Sequence, residues 1–367
     1  MRWLALLALA GCGRYSFELR NDARAGDGGV GDDATQDGPL ANVNYVFVTS
    51  TTIVPAALGS VGNADQVCNN LAQQRGLPGT YVAWLSSLSS DVVDRMNGAR
   101  GWQRLDGLPF ADSVTDLAAT RFFYPIVVDE TSALRQGVSM VTNTNTNGRI
   151  LGINDCTGFT STTGLVNGTN NANGATYWTL GAGYSCDSIL HMYCFGIDFQ
   201  TPVAAPGSSG AVRHAFVTDG MWTPGLGIAD ADAFCQTAAN ANSIAGTFRA
   251  LLATNGSTAA SRFDLGGPPW VRLDGTAFVS PADQLAAYLL TSLHQTPTMY
   301  VNGGAFAWFG ALSSTTAGDA TSSCNDWNAN QPNVVGRSTS VATLGPAAYF
   351  GTSLSCDTAG RLLCLER

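Results

Sequence analysis

At 367 residues the chain is long enough for two domains of ordinary size, each with a core of its own. Only 12% of residues are charged, no lysine occurs, and all 18 basic residues are arginine. The net charge of −9 argues against nucleic acid or an anionic membrane surface as a direct partner, because counterion release needs clustered basic side chains.

The chain opens with one arginine and an apolar stretch, Trp3 to Ala10, leading into Leu9-Ala10-Gly11-Cys12. This is the form of a bacterial lipobox, in which small residues let a signal peptidase reach the bond before the cysteine. Residues 1–11 are therefore expected to be a lipoprotein signal peptide and Cys12 the lipidated first residue. An ordinary secretory signal with a chance cysteine is the competing reading. No run of 18 apolar residues follows, so the lipid would be the one attachment to a membrane. Residues 12–42, with Gly26-Asp27-Gly28-Gly29-Val30-Gly31-Asp32-Asp33, hold too few apolar groups to repay ordering and read as a disordered Gly/Asp-rich tether.

Two copies of one pattern follow, about 167 residues apart. Tyr45–Thr49 and His214–Thr218 read as strands. A helix comes next: Ala64, Val67, Cys68, Leu71 and Ala72 lie on one face, as do Ala231, Phe234, Cys235, Ala238 and Ala239. Asn63 is the expected N-cap and Gly76 the stop. Asp65 and Asp232 read as first-turn acids favoured by the helix dipole. Gly79-Thr80-Tyr81 and Gly246-Thr247-Phe248 open strands that run to Leu85 and Leu252. The turns Trp102-Gln103-Arg104-Leu105-Asp106-Gly107 and Trp270-Val271-Arg272-Leu273-Asp274-Gly275 precede a second helix, whose start signal is Ser280-Pro281. Met140-Val141-Thr142 aligns with Trp308-Phe309-Gly310, and closing strands span Leu190–Phe195 and Leu362–Leu365. The expected domains are 43–197 and 213–367, joined by a Pro/Gly/Ser linker over 198–212.

Nine cysteines divide as Cys12 alone, then Cys68, Cys156, Cys186 and Cys194, then Cys235, Cys324, Cys356 and Cys364. The repeated set of four implies two disulfides per copy and an oxidising, exported compartment, and leaves three connectivities open. Zinc is the rival reading, but no Cys-x-x-Cys or His-x-x-x-His spacing supports it. No catalytic constellation is evident. The three histidines show no Ser-His-Asp or Cys-His arrangement, and Asp106 and Asp274 sit in Asp-Gly turns, which favours a structural role.

Ala-Asp-x-x-Cys followed eleven residues later by Gly-Thr-aromatic-x-Ala-x-Leu, the later apolar-aromatic strand, Cys324-x-x-Trp327, and the closing Cys356/Cys364 pair resemble the endostatin-like domain of certain basement-membrane collagens. They are also similar to an uncharacterised, often tandem domain of envelope lipoproteins in spirochaetes and myxobacteria. The resemblance covers roughly 45–195 and 214–366. It implies an α+β fold of two tandem endostatin/C-type-lectin-like domains, each a twisted antiparallel sheet with two helices and two disulfides. It also implies nested pairing, Cys68–Cys194 with Cys156–Cys186 and Cys235–Cys364 with Cys324–Cys356. Phe159 stands where the second copy has Trp327, so the first loop reads as degenerate. The family's zinc-binding histidines and arginine-rich heparin face have no counterpart here.

The candidate ligand loop lies in the second copy, Cys324 to Asn333, with Asp326, Trp327, Gln331 and Asn333 as its site residues. Gln331-Pro332-Asn333 is similar to the loop by which calcium-dependent C-type lectins hold an ion and sugar hydroxyls together. Calcium at Asp319, Asp326, Gln331 and Asn333 is the cofactor this implies. The function expected is a lipid-anchored surface binding or adhesion protein, not an enzyme, recognising an extracellular glycan or protein. A structural envelope component is the alternative, and a glycan hydrolase is a further one.

Overall fold

The structure is a computed structural model that describes residues 42–171, 174–207, 210–280, 284–286, 289–342, 344 and 351–367. Cys12, the signal peptide and residues 12–41 of the expected tether lie outside these residues. Leu40–Arg367 form one compact unit, mixed α and β. In its first half the strands are β1 (Asn44–Val48), β2 (Tyr81–Ala83), β3 (Trp102–Arg104), β4 (Pro109–Ala111), β5 (Ser139–Val141), β6 (Leu165–Asn170), β7 (Ala182–Ser185) and β8 (Tyr193–Gly196). The second half carries β9 (Arg213–Val217), β10 (Phe248–Ala250), β11 (Trp270–Arg272), β12 (Phe306–Trp308), β13 (Val335–Ser340), β14 (Ser353–Ser355) and β15 (Leu363–Glu366). The right-handed helices are α1 (Val61–Gln74), α2 (Val92–Arg95) and α3 (Val114–Ala118) in the first half and α4 (Ile228–Ala241) in the second, and Cys156–Phe159 makes a left-handed turn.

The two halves repeat one topology. The order β2-β8-β1-β3-β4 in one is matched by β10-β15-β9-β11 in the other, and each half adds a small sheet, β5-β6-β7 or β12-β13-β14. These main sheets are mixed, not wholly antiparallel. β1 runs parallel to β3 with Asn44 opposite Trp102, and β9 runs parallel to β11 with Arg213 opposite Trp270. Parallel neighbours need a long crossover, and the segments holding α1 and α4 supply it. The helix count also departs from expectation: the first half has one long helix and two short ones. Among the described residues of the second half α4 stands with only 3₁₀ turns, and the expected Ser280 helix shows Gln284–Ala286 as one such turn, with 281–283 outside the described residues.

α1 buries Ala64, Cys68, Leu71 and Ala72, the stripe its spacing predicts. Its N-cap is Ser60, not Asn63: the Ser60 hydroxyl accepts from the Asn63 backbone N–H at 3.2 Å. Gly76 follows with φ +66°, a left-handed stop. The short apolar strands pair one residue out of the expected alignment, since Met140 bridges His191 as Ala307 bridges Arg361. Each half encloses two apolar clusters, one beneath its helix and one on the opposite face of its main sheet. The disulfides are Cys68–Cys194, Cys156–Cys186, Cys235–Cys364 and Cys324–Cys356, the nested pairing. They assign the chain to an oxidising, exported compartment. No helix among the described residues is long and apolar enough to cross a membrane.

The expected linker is partly built into the first half. The Asn44 side chain accepts from Phe199 N at 3.1 Å, and Asp112 accepts from Val203 N at 2.9 Å. The halves also pack directly. Arg272 donates to the Phe122 carbonyl at 2.7 Å, Thr291 to that of Phe123 at 2.5 Å, and Ala277 N to the Tyr124 hydroxyl at 3.1 Å.

Candidate functional site

The loop after β12 is organised by a backbone that L-residues rarely adopt. Cys324, Asn325, Asp326 and Trp327 have φ of 49°, 50°, 56° and 66°, one turn of left-handed helix without a glycine. Such a turn costs about 1–2 kcal/mol per residue, so its surroundings must hold it. Cys324 is tied to Cys356. Trp327 is fully buried, its indole N–H donates to the Ala253 carbonyl at 2.8 Å, and its ring packs 5.9 Å from Trp222 and 5.8 Å from Trp308. Its carbonyl accepts from Gly225 N at 2.8 Å and Gly227 N at 3.0 Å, which ties the turn to the start of α4. The Asp326 carboxylate accepts from Asn255 N at 2.6 Å.

Trp327, singled out as a ligand residue, is thus a core anchor with no face toward solvent. What the turn exposes instead is amide: Asn325, Asn328, Asn330, Gln331 and Asn333 are all exposed, with Asp326 half-buried. The Asn328 amide donates to the carbonyls of Asn325 at 3.2 Å and Asp326 at 3.1 Å, which stiffens the rim. Leu226, 77% exposed, stands between Gly225 and Gly227, whose backbones bond the turn. Asp319 spends one oxygen on the Thr321 N–H and hydroxyl, and these bonds hold its carboxyl below the usual range. Among the described residues no three His, Cys, Asp or Glu side chains gather into a metal-holding group.

The first half is not degenerate at this point. Cys156, Thr157, Gly158 and Phe159 make the same left-handed turn, with Phe159 buried in the place of Trp327. Asp155 caps it from Gly158 N at 2.9 Å, and the Phe159 carbonyl accepts from Gly59 N at 2.8 Å. Among the described residues this turn lacks the amide rim of its counterpart, since Thr157 and Gly158 stand where Asn325 and Asp326 do.

Asp65 and Asp232 are not helix-start charges. Each is the fifth residue of its helix and reaches across to the adjoining strand. Asp65 accepts from Ala83 N at 2.8 Å and pairs with Arg95; Asp232 accepts from Ala250 N at 3.0 Å and pairs with Arg262 at 2.6 Å. Arg262 closes the ring by donating to the Ala250 carbonyl at 2.6 Å. Both arginines follow their aspartate by the same 30 residues, a signal present in the sequence and missed. Asp106 and Asp274 grip the arginine two residues before them, and Arg272 is fully buried. Burial pushes the Asp274 carboxyl up, but Arg272 and the Thr276 donors outweigh it and hold it below the usual value.

The histidines lie apart. His191 meets the Thr49 carbonyl at 2.7 Å and His214 faces Glu366 at 3.4 Å. His294 contacts the Ser292 hydroxyl at 2.8 Å, a Ser-His pair the sequence reading did not foresee. It is wholly buried, its Nδ1 also meets the Ser292 carbonyl at 3.1 Å and its Nε2 the Thr120 carbonyl at 2.9 Å, and among the described residues no carboxylate hydrogen-bonds it, so it lacks the geometry of a catalytic base. The chain matches no family model and no curated protein.

Proposed function

We propose that this is a lipid-anchored envelope protein, held through Cys12, whose two tandem endostatin/C-type-lectin-like domains make a non-catalytic binding or adhesion module. In this reading the second domain recognises an extracellular glycan or protein through the rim between Cys324 and Asn333. The observation that carries it is the left-handed turn itself, four strained residues pinned by a disulfide and a buried tryptophan beneath five exposed amides. A stiff backbone presenting neutral donors and acceptors loses little entropy on binding, which suits recognition of hydroxyl- or amide-bearing surfaces. Asp319 and Asp326 each spend one carboxylate oxygen within the loop, and five amides stand on the exposed rim beside them, which favours amide recognition.

The test is a glycan and matrix-protein array probed with the mature chain, with calcium and with chelator. Binding lost in Asn328→Ala and Asn333→Ala supports the reading. Dependence on calcium would assign Asp319, Asp326, Gln331 and Asn333 to an ion. Ligand binding that survives both variants, or turnover of a glycan, overturns it.

A further inference from the structure

The two halves place one leucine differently. In the first, Leu58 precedes Gly59, whose N–H donates to the Phe159 carbonyl at 2.8 Å, and Leu58 is 7% exposed in the core beneath α1. In the second, Leu226 precedes Gly227, whose N–H donates to the Trp327 carbonyl at 3.0 Å, and Leu226 is 77% exposed. Trp222 and Trp327 fill the core there, and the leucine stands outside it. The strap that holds it is close-packed. A Cβ on Gly225 would lie 3.1 Å from Asn330 Cβ, and one on Gly227 3.0 Å from Asn328 Oδ1, while φ is +145° and +80° at the two positions, so both need glycine. Leu226 is thereby fixed between two asparagines of the rim. The exposed leucine and the exposed amides occur together in one half and are both missing from the matching turn of the other.

The two asparagines keep complementary capacity. Asn328 spends its Nδ2 donors on the Asn325 and Asp326 carbonyls, which leaves Oδ1 as an acceptor. The Asn330 side chain makes no hydrogen bond among the described residues, so its donors are free. A secondary amide is planar and trans, so its N–H and C=O point to opposite sides and need separate partners. Asn328 Oδ1 suits the N–H, Asn330 Nδ2 suits the carbonyl, and Leu226 between them suits an apolar group at the end. No arginine stands in residues 220–230 or 319–335, so an acidic sugar meets no counter-charge from either segment. A protein interface would need about 1,200–2,000 Å² with an apolar centre, whereas the exposed side chains from Asn325 to Asn333 are five amides and Pro332. Given the binding role of the rim, on which this rests, we propose that its ligand is a neutral N-acetylated glycan, recognised through one acetamido group by Leu226, Asn328 and Asn330.

The acetyl methyl rests on the Leu226 side chain, the acetamido N–H donates to Asn328 Oδ1, and its carbonyl accepts from Asn330 Nδ2. Burying that methyl and making one further hydrogen bond together contribute about 20-fold in affinity over the matching sugar with a hydroxyl in place of the acetamido group. The apolar part alone accounts for about 4-fold. Because Leu226 is exposed, removing its side chain takes nothing from either core.

Saturation-transfer NMR and titration of the mature chain read this directly, with the methyl glycosides of N-acetylglucosamine and N-acetylgalactosamine set against those of glucose and galactose. The acetyl methyl should take up the most saturation, and the N-acetylated glycosides should bind about 20-fold more tightly than their hydroxyl matches. Leu226→Ser should weaken the N-acetylated pair about 4-fold and leave the hydroxyl pair and the urea midpoint unchanged. No binding of the N-acetylated pair, equal affinities within each matched pair, saturation centred on ring protons, or unchanged discrimination in Leu226→Ser overturns the acetamido assignment. Where such a result stands beside array binding that is lost in Asn328→Ala and Asn333→Ala, the rim keeps its binding role and only the ligand class falls. N-acetylated glycosides that bind equally well to Asn328→Ala, Asn330→Ala and Asn333→Ala overturn both.

Discussion

Replacing Asp232 with alanine separates two physical accounts of the same residue. A helix-start acid interacting with the dipole is worth about 0.3–1 kcal/mol. The clamp in the structure is worth more. Its loss strips the Ala250 N–H of its acceptor and leaves Arg262, whose side chain is only 14% exposed, without its carboxylate. Breaking a buried pair in this one-sided way costs about 3–5 kcal/mol, and the 24% exposure of Asp232 puts the expectation near the lower end, about 3 kcal/mol. Asp232→Asn, which keeps an acceptor for Ala250, should recover about half. Urea unfolding measures each value from the midpoint at constant slope. In the cycle with Arg262→Met, the coupling should exceed about 1.5 kcal/mol. A loss below 1 kcal/mol for Asp232→Ala, or full additivity with Arg262→Met, would refute the clamp.

Trp327→Phe should cost only about 1–2 kcal/mol, because the first half builds the same turn on Phe159 and only the Ala253 hydrogen bond is lost; Trp327→Ala should cost about 3–5 kcal/mol. Equal losses by denaturant melting would show that the ring is not what holds the turn. Removing Cys68–Cys194, which closes 126 residues, should destabilise by about 5 kcal/mol. Removing Cys156–Cys186, across 30 residues, should cost about 3.5 kcal/mol, and the reverse order in urea would contradict the loop-entropy account. The Asp274 carboxyl, held low by Arg272 and Thr276, adds stability that is present above about pH 4 and lost as pH falls through its folded value. Asp274→Asn should flatten the stability profile in that acid range, and an unchanged profile would count against the pairing.

Much of the framework was legible because it is periodic. The buried stripe of α1, the apolar strands and the even cysteine sets each leave a mark at fixed spacing. The candidate site was legible only as a region. Cys324-Asn325-Asp326-Trp327 reads as polar loop, and nothing in the letters reports four positive φ values, so Trp327 is placed among the ligand residues although its match in the resembled family is a core position. The aspartates of the repeated motif look like local helix chemistry because their arginines lie 30 residues away and meet them only in the folded chain.

By itself, then, the sequence determined a duplicated α+β framework with paired cysteines, since burial periodicity and disulfide sets are properties of spacing. Tertiary structure decided the rest. It turned the repeated acids of the two copies, Asp65 and Asp232, into helix-to-strand clamps and set Trp327 in the core, leaving the amides as the exposed chemistry. It also brought Thr120 and His294, 174 residues apart, to within 2.9 Å. Hydrogen bonds and charge pairs between distant segments depend on the fold's geometry, and spacing along the chain does not encode that.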